Sequence, residues 1–374
     1  MLLRSWQKSF EKRLWVRSEV APIIEKAFED ELSLNDIYIL LKEGELWALG
    51  SAAKEMKERM YGNVCTYIKN MILNYTNECV IECKFCAFYK PPGKGYFYDP
   101  SFAANLVKKV YEEYGIRQVL IQGGVSPRIS IEYFEEMFKL IKKLVPKVSI
   151  HALSPVEIDF LAKKHRMSYR EVLERLKEAG MESLPGGGAE LLVERVRKII
   201  SPKKIGVDKW IEIILTAHEL GIPTSVTMMF GHVETLEERA LHIYRLREIQ
   251  KKRKGSLAFI AWNFEPGNTA LAKEYNIKYP HGSYELLKII SVARLAFKDW
   301  IPHIQAGWLT MGKDVAQLAL IHGADDWGGT LYSEKVIPST GLRVKFPGET
   351  EIKKWISDIG CTPKERDSLY RVIE

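Results

Sequence analysis

The sequence predicts an α/β chain folded as a TIM-type (βα)8 barrel, one that need not close perfectly, behind a helical N-terminal extension. Three observations predict it. Short, β-branched apolar runs alternate with stretches of helical period, about eight times in all. Gly or Pro follows most of these runs, as parallel βαβ units require. Residues that can do chemistry also fall repeatedly just after the runs, where barrel enzymes build their sites.

Taken in order, residues 1–62 read as helical and precede the first strand. Strand 1 is expected near 70–75, and a cysteine-rich loop follows it. Then come a helix over 102–113, a strand over 118–121 ended by Gly123-Gly124, a helix over 131–144 and a strand over 148–153. A helix over 171–179 leads to a short strand at 183–184 and the turn Pro185-Gly186-Gly187-Gly188. Helix 208–220, strand 224–230, helix 237–251 and strand 258–264 continue the alternation. Helix 284–297, strand 304–308, helix 315–322 and a last short strand at 329–331 complete it. No linker, repeat or low-complexity segment interrupts the pattern. The expected division is an extension over 1–62, a barrel over 63–345 and a small tail over 346–374.

Composition bounds the function. The 374 residues are 46% hydrophobic and 28% charged, ordinary for one large globular core. The net charge of +7 comes mostly from lysines interleaved with glutamates, as in Glu55-Met56-Lys57-Glu58-Arg59. Such runs are solvated helix faces, so no nucleic-acid partner is expected, although a positive field can draw an anionic substrate. No leader-like or membrane-spanning apolar run is present, so the expectation is a cytoplasmic protein without a membrane partner.

Five cysteines are present, and three of them, Cys79, Cys83 and Cys86, form a C-x3-C-x2-C loop directly after strand 1. Three thiolates on one loop can hold three irons of a 4Fe-4S cluster, leaving the fourth iron open to a small molecule. A structural zinc site would want a fourth Cys or His nearby, and none follows Cys86 closely. An electron-carrier cluster could recruit Cys65 or Cys361 only by folding back; both read better as buried structural thiols. The open-iron arrangement resembles that of radical S-adenosylmethionine (SAM) enzymes, where SAM chelates the free iron and an electron from the cluster cleaves a C–S bond. Phe85, just before the last cysteine, takes the position that commonly meets the SAM adenine in that superfamily.

The residues after each strand supply the other candidates. After strand 1 come the three cysteines, Phe88 and Tyr89; after strand 2, Gln122, Gly123 and Gly124. Strand 3 ends with His151, Ser154 and Glu157, and strand 4 with Gly187 and Glu190. Strand 5 ends with Gly231, His232 and Glu234, strand 6 with Asn263 and Glu265, strand 7 with Gln305 and Trp308. The last turn carries Asp325 and Asp326. Gly123-Gly124 is expected to let the backbone approach the SAM methionyl group. Gln122 is expected to stand in for the acid that most radical SAM enzymes place there. Arg197, on the helix after the triple glycine, is expected to fork onto the SAM carboxylate. Tyr89, Ser154, Glu157, Gly187 and Glu190 complete the expected cofactor contacts. His232, Glu234 and His151 are the candidates for moving a proton.

Five segments then carry a specific resemblance. They are Cys83–Tyr89, His151–Ile158, Pro185–Glu190, Thr227–Thr235 and Phe264–Thr269, and they resemble the radical SAM family of the menaquinone futalosine pathway, in order, across residues 35–345. The Ala87-Phe88-Tyr89, Ser154-Pro155, Met228-Met229 and Trp262-Asn263-Phe264 stretches are most similar to the family's cyclases. That resemblance implies conversion of dehypoxanthine futalosine to its cyclic form, by hydrogen abstraction from ribose C4′, with 4Fe-4S cluster and SAM as cofactors. It also implies an electron donor such as flavodoxin or ferredoxin. One stretch departs: Gly323–Thr330 looks more like the aminofutalosine and deazaflavin (F420) relatives, the latter using tyrosine. A non-catalytic iron–sulfur sensor is the reading from another class; it would have no need of a lined pocket.

Overall fold

A computed structural model describes residues 17–373; the first part of the expected helical extension, residues 1–16, lies outside the described residues. Three helices open the described chain: α1 (Ala21–Glu29), α2 (Leu34–Glu43) and α3 (Leu46–Tyr61). Ser33 caps α2 in a reciprocal box with Asp36, and a positive-φ Gly62 ends α3. These helices bury Ile24, Ile37, Leu40, Leu49 and Ala53 against the barrel.

The barrel follows as β1 (Val64–Ile68), β2 (Asn70–Leu73), α4 (Pro100–Tyr114), β3 (Gln118–Ile121), α5 (Ile131–Leu144), β4 (Ser149–Ala152), α6 (Pro155–His165), α7 (Tyr169–Glu178), β5 (Met181–Ser183), α8 (Glu194–Ile200) and α9 (Val207–Glu219). It continues with β6 (Thr224–Phe230), α10 (Leu236–Lys252), β7 (Ser256–Asn263), α11 (Ala270–Tyr275), α12 (Ser283–Phe297), β8 (His303–Ile304), α13 (Trp308–Ile321) and β9 (Asp326–Gly329). A final helix α14 (Glu349–Asp358) and strand β10 (Thr362–Glu365) end it. Helix α3 packs on α12, and α2 on α10, which seats the N-terminal helices on one flank.

All strand pairings are parallel. The sheet runs in three segments, β2-β3-β4-β5, β6-β7-β8 and β10-β1-β9. Isolated parallel bridges join them at Leu184–Thr224, Gln305–Asp326 and Met71–Tyr332. With β1 and β2 as one bent strand, the circle has eight positions and is imperfectly closed, as expected. The first strand starts earlier than expected, at Val64 instead of residue 70, because Cys65, Tyr67 and Ile68 are all buried.

The tail is not the loose appendix that the expected boundary at 346 suggests. After β10 pairs with β1, residues Arg366, Ser368 and Tyr370 turn under the barrel. Their partners mark the place: Arg366 forks onto Asp326 at 2.5 and 3.0 Å, Gln118 Nε2 donates to Ser368 Oγ at 3.0 Å, and Tyr370 stacks on His303 with ring centres 4.4 Å apart. Asp326, Gln118 and His303 are each the first residue of a strand. The tail therefore plugs the N-terminal end of the barrel. Among the described residues no helix is long and apolar enough to cross a membrane.

Candidate active site at the C-terminal strand ends

The cysteine loop leaves the C-terminal end of β2 and is clamped from several sides. Cys79 N–H donates to Lys90 O, Val80 N–H to Val125 O, and Lys84 N–H to Ile200 O. A side chain at Gly124 would drive into the Glu78 carbonyl, and one at Gly123 into the Tyr75 ring. The glycine pair is thus required by the protein's own close packing, so the expected approach to a cofactor is not needed to explain it. Cys79, Cys83 and Cys86 carry free, half-buried thiols. No three His, Cys, Asp or Glu among the described residues converge on one ion position; three thiols on one loop can each take a different iron of a cluster. Burial pushes the Cys83 thiol up to about 12, so this pocket holds a thiolate only with help from positive charge.

Part of that charge is Lys204, which no motif in the chain marks. Its ammonium is buried, 2.8 Å from Glu190 Oε1 and 5.0 Å from the centre of the Phe85 ring. Burial opposes the charge, but Cys83 and Glu190 beside it hold the Lys204 pKa up at about 12. Glu190 Oε2 is buried without a hydrogen-bond partner, with Arg197 Nη1 3.8 Å away. An orphaned carboxylate oxygen beside the cysteines is what an incoming donor, such as an amino group, would satisfy. The donor set therefore fits a 4Fe-4S cluster with SAM: Cys79, Cys83 and Cys86 for iron, with Phe85, Glu190 and Lys204 alongside.

Arg197 sits differently from expectation. It is 3% exposed and spends its guanidinium on backbone carbonyls of Gly188, Ala189 and Ile205. It holds the triple-glycine turn in place and is not among the residues lining the cavity. Gln122 and Gly187 do line it. Ser154 and Glu157 lie behind the wall. Glu157 accepts from Tyr75 Oη at 2.6 Å, and burial pushes its pKa up to about 7. Tyr89 stays half-exposed beside Glu82.

The central cavity, about 350 Å3, runs down the barrel from Phe85 and Cys86 to Arg366 and Tyr370. Trp262, Phe264, Met229 and Trp308 give it apolar walls; Asn70, Gln118, Gln122, Gln305 and His151 give it uncharged polar groups. Three side-chain atoms buried without a partner belong to its lining: Asn263 Oδ1, Thr310 Oγ1 and Trp327 Nε1. Glu334 also lines it, bonded to the Val336 and Ile337 N–H groups and pushed by burial to about 7.

The three proton-transfer candidates separate here. His151 lines the cavity, its Nδ1 2.7 Å from Ser183 Oγ. Burial and the nearby Arg366 charge push its pKa down to about 3, so the ring is neutral. His232 and Glu234 are buried in a closed network and do not line the cavity. Glu234 accepts from Gly231 N–H, His232 N–H and Arg239 Nε, and His232 Nε2 bonds to Met229 O at 3.1 Å. Although burial opposes it, the His232 hydrogen bond and the Arg239 charge hold the Glu234 carboxylate well below its usual range. Asp325 and Asp326 depart further from expectation. They lie at the plugged end, Asp325 with Arg294 and His303 and Asp326 with Arg366. Cys65 and Cys361 face Lys57 Nζ at 3.3 and 3.8 Å near that same end, a whole strand away from the cysteine loop, so neither can be a fourth iron ligand.

A family model described as the Radical SAM superfamily matches residues 73–244, and one described as the CofH/MqnC C-terminal region matches residues 253–374. A 5-amino-6-(D-ribitylamino)uracil–L-tyrosine 4-hydroxyphenyl transferase 2 from Methanosarcina barkeri is 38% identical over 94% of this chain and 91% of its own. A cyclic dehypoxanthine futalosine synthase from Halalkalibacterium halodurans is 35% identical over 94% of each. An aminodeoxyfutalosine synthase from Thermus thermophilus is 37% identical, covering 94% and 95%. Among solved structures, methylornithine synthase PylB superposes with a TM-score of 0.71 at 19% identity, covering 91% of this chain and 97% of that one. The hydrogenase maturase HydG superposes with 0.74 at 17% identity, covering 98% and 80%. At those identities the likeness is one of fold.

Proposed function

The chain belongs to the radical SAM superfamily, and on that premise we propose that it converts dehypoxanthine futalosine to cyclic dehypoxanthine futalosine. With cluster and SAM bound, reductive cleavage of a SAM C–S bond supplies a 5′-deoxyadenosyl radical. The observation that carries the finer reading is the central cavity. It opens beside Cys86 and Phe85, and at about 350 Å3 it is near the lower end of ligand pockets, which span about 300–1,000 Å3. A cavity of that size suits one substrate reacting with itself: the ribose C4′ hydrogen passes to the 5′-deoxyadenosyl radical to give 5′-deoxyadenosine, the sugar radical adds to the aromatic ring, and aromaticity returns when the ring gives an electron to the electron carrier that serves the cluster and a proton to His151.

The chain's own residues have three tasks. Trp262, Phe264, Met229 and Trp308 keep water away from the sugar radical. Asn70, Gln118, Gln122 and Gln305, uncharged polar groups of the wall, orient the substrate. His151 accepts the ring proton: it lines the cavity and Ser183 fixes its ring, and the cation left on the ring by electron loss is acidic enough to protonate an imidazole held at about 3. An electron carrier such as flavodoxin or ferredoxin would feed the cluster from the loop side, where Glu82 and Lys84 are accessible.

A second reading has its own observation. Trp327, Gly328 and Gly329 line the cavity and belong to the stretch that resembles the aminofutalosine and deazaflavin relatives. The experiment is anaerobic reconstitution with iron, sulfide, SAM and a low-potential reductant, then each candidate substrate in turn, with products read by mass spectrometry. Dehypoxanthine futalosine should give 5′-deoxyadenosine and a product two hydrogens lighter. Product from tyrosine with the ribitylaminouracil, or from a carboxyvinyl-oxybenzoate, would replace this reading. SAM left uncleaved over an intact cluster would favour the sensor.

A further inference from the structure

We infer that Asn263 and Glu265 form a two-acceptor fork that binds the vicinal diol of a sugar. Asn263 is the last residue of β7, 1% exposed, and both side chains line the central cavity. Asn263 Nδ2 donates to Glu265 Oε1 at 2.6 Å, which fixes the orientation of the amide. Its Oδ1 is therefore the remaining atom, and it is buried without a partner. A buried amide oxygen left alone keeps its desolvation cost unrecovered, so its place in the cavity wall points to a ligand donor. Among the described residues Glu265 has no ion-pair partner, and burial pushes its carboxyl up, against its bond to Asn263. The pair thus presents an amide oxygen and a carboxylate side by side.

Two adjacent acceptors call for two adjacent donors. A vicinal diol offers two O–H groups on neighbouring carbons and brings no charge. An amino-acid ammonium would also donate, but its carboxylate sits on the same carbon and would be pressed against these acceptors. Arg366, the one guanidinium lining the cavity among the described residues, is already forked onto Asp326. The chemistry therefore favours the ribose diol over the amino acid. Both the substrate and SAM carry such a diol, and the fork serves one of them. This inference rests on the cavity being the ligand site proposed above.

The test uses reconstituted holoenzyme, wild type and the variants Glu265→Gln and Asn263→Asp, with iron content and thermal melting as controls for folding. Equilibrium dialysis measures the Kd for dehypoxanthine futalosine, for SAM, and for the 2′-deoxy form of each. The expected result is that wild type loses tenfold or more in affinity for one deoxy compound. Glu265→Gln should weaken the matching native compound by a similar factor and remove the discrimination. Loss confined to dehypoxanthine futalosine assigns the substrate's ribose, and loss confined to SAM assigns the cofactor's. Equal binding of native and deoxy forms by the wild type, or unchanged affinities in both variants, would overturn the fork. Turnover of dehypoxanthine futalosine by the wild type, measured alongside, tests the cyclase reading separately, because the SAM arm reads the fork even when no product forms.

Discussion

The two ends of this barrel are both rich in polar side chains, yet they treat them in opposite ways. At the N-terminal end the buried carboxylates are ion-paired: Asp326 with Arg366 and Asp325 with Arg294, while His303 Nδ1 lies 2.6 Å from Asp325 Oδ2. At the C-terminal end and in the cavity below it stand free thiols, an orphaned Glu190 oxygen and an orphaned Asn263 oxygen. Buried charge is tolerated when paired and costly when not. One end is therefore closed architecture, and the other is poised for ligands. Burial and charge alone do not distinguish them; satisfaction does.

Substitutions at the open end should break chemistry. Cys83→Ser is expected to abolish product formation and to lower the iron bound after reconstitution, read by metal analysis. His151→Phe should cut product formation by about 10²–10⁴-fold, the usual worth of a proton acceptor, while 5′-deoxyadenosine still appears. Because His151 is held at about 3, any limb of the pH–rate profile near neutrality should trace to Glu334, pushed up to about 7 in the cavity wall, and should disappear in Glu334→Gln.

Substitutions at the closed end should break the fold instead. Arg366→Met leaves Asp326 buried and unpaired, a loss of about 3–5 kcal/mol, visible as a lower melting temperature; adding Asp326→Asn should recover part of it. Glu157 sharpens the comparison behind the open end's wall. Its folded pKa of about 7 exceeds the ordinary 4.5, so the fold favours the protonated acid. That contribution is fully present below the unfolded pKa and is lost as pH rises through 7, by on the order of 3 kcal/mol. Glu157→Gln should therefore melt higher than wild type at about pH 8, with the gap narrowing at about pH 5. The smallest effect on chemistry is expected at His232. His232→Gln should lower the melting temperature and leave the ratio of product to 5′-deoxyadenosine unchanged.

The sequence made the open end legible through local patterns. The cysteine spacing, the glycine runs and the polar residues after each strand are readable because strand-end loops are short and continuous in the chain. Asn263 and Glu265 were visible in this way. The closed end was not legible, because its pairs join residues distant in sequence: Asp326 meets Arg366 only once the tail passes beneath the barrel. The same limit misplaced Asp325 and Asp326: Asp325 immediately precedes β9 and Asp326 opens it, so neither follows a strand. Lys204 was hidden because a lysine in a basic loop looks like any solvated lysine until Glu190 and Phe85 close over it. His232 and Glu234 looked catalytic by position, and their network, completed by Arg239 from the following helix, turned them inward.

The most direct test of the contrast is a crystal structure of the reconstituted enzyme with SAM and dehypoxanthine futalosine. The expected structure has a cluster on Cys79, Cys83 and Cys86, substrate in the central cavity within reach of His151, and an unchanged Arg366–Asp326 pair. A substrate bound at the plugged end with Arg366 swung away from Asp326, or one held against His232 and Glu234, would contradict it.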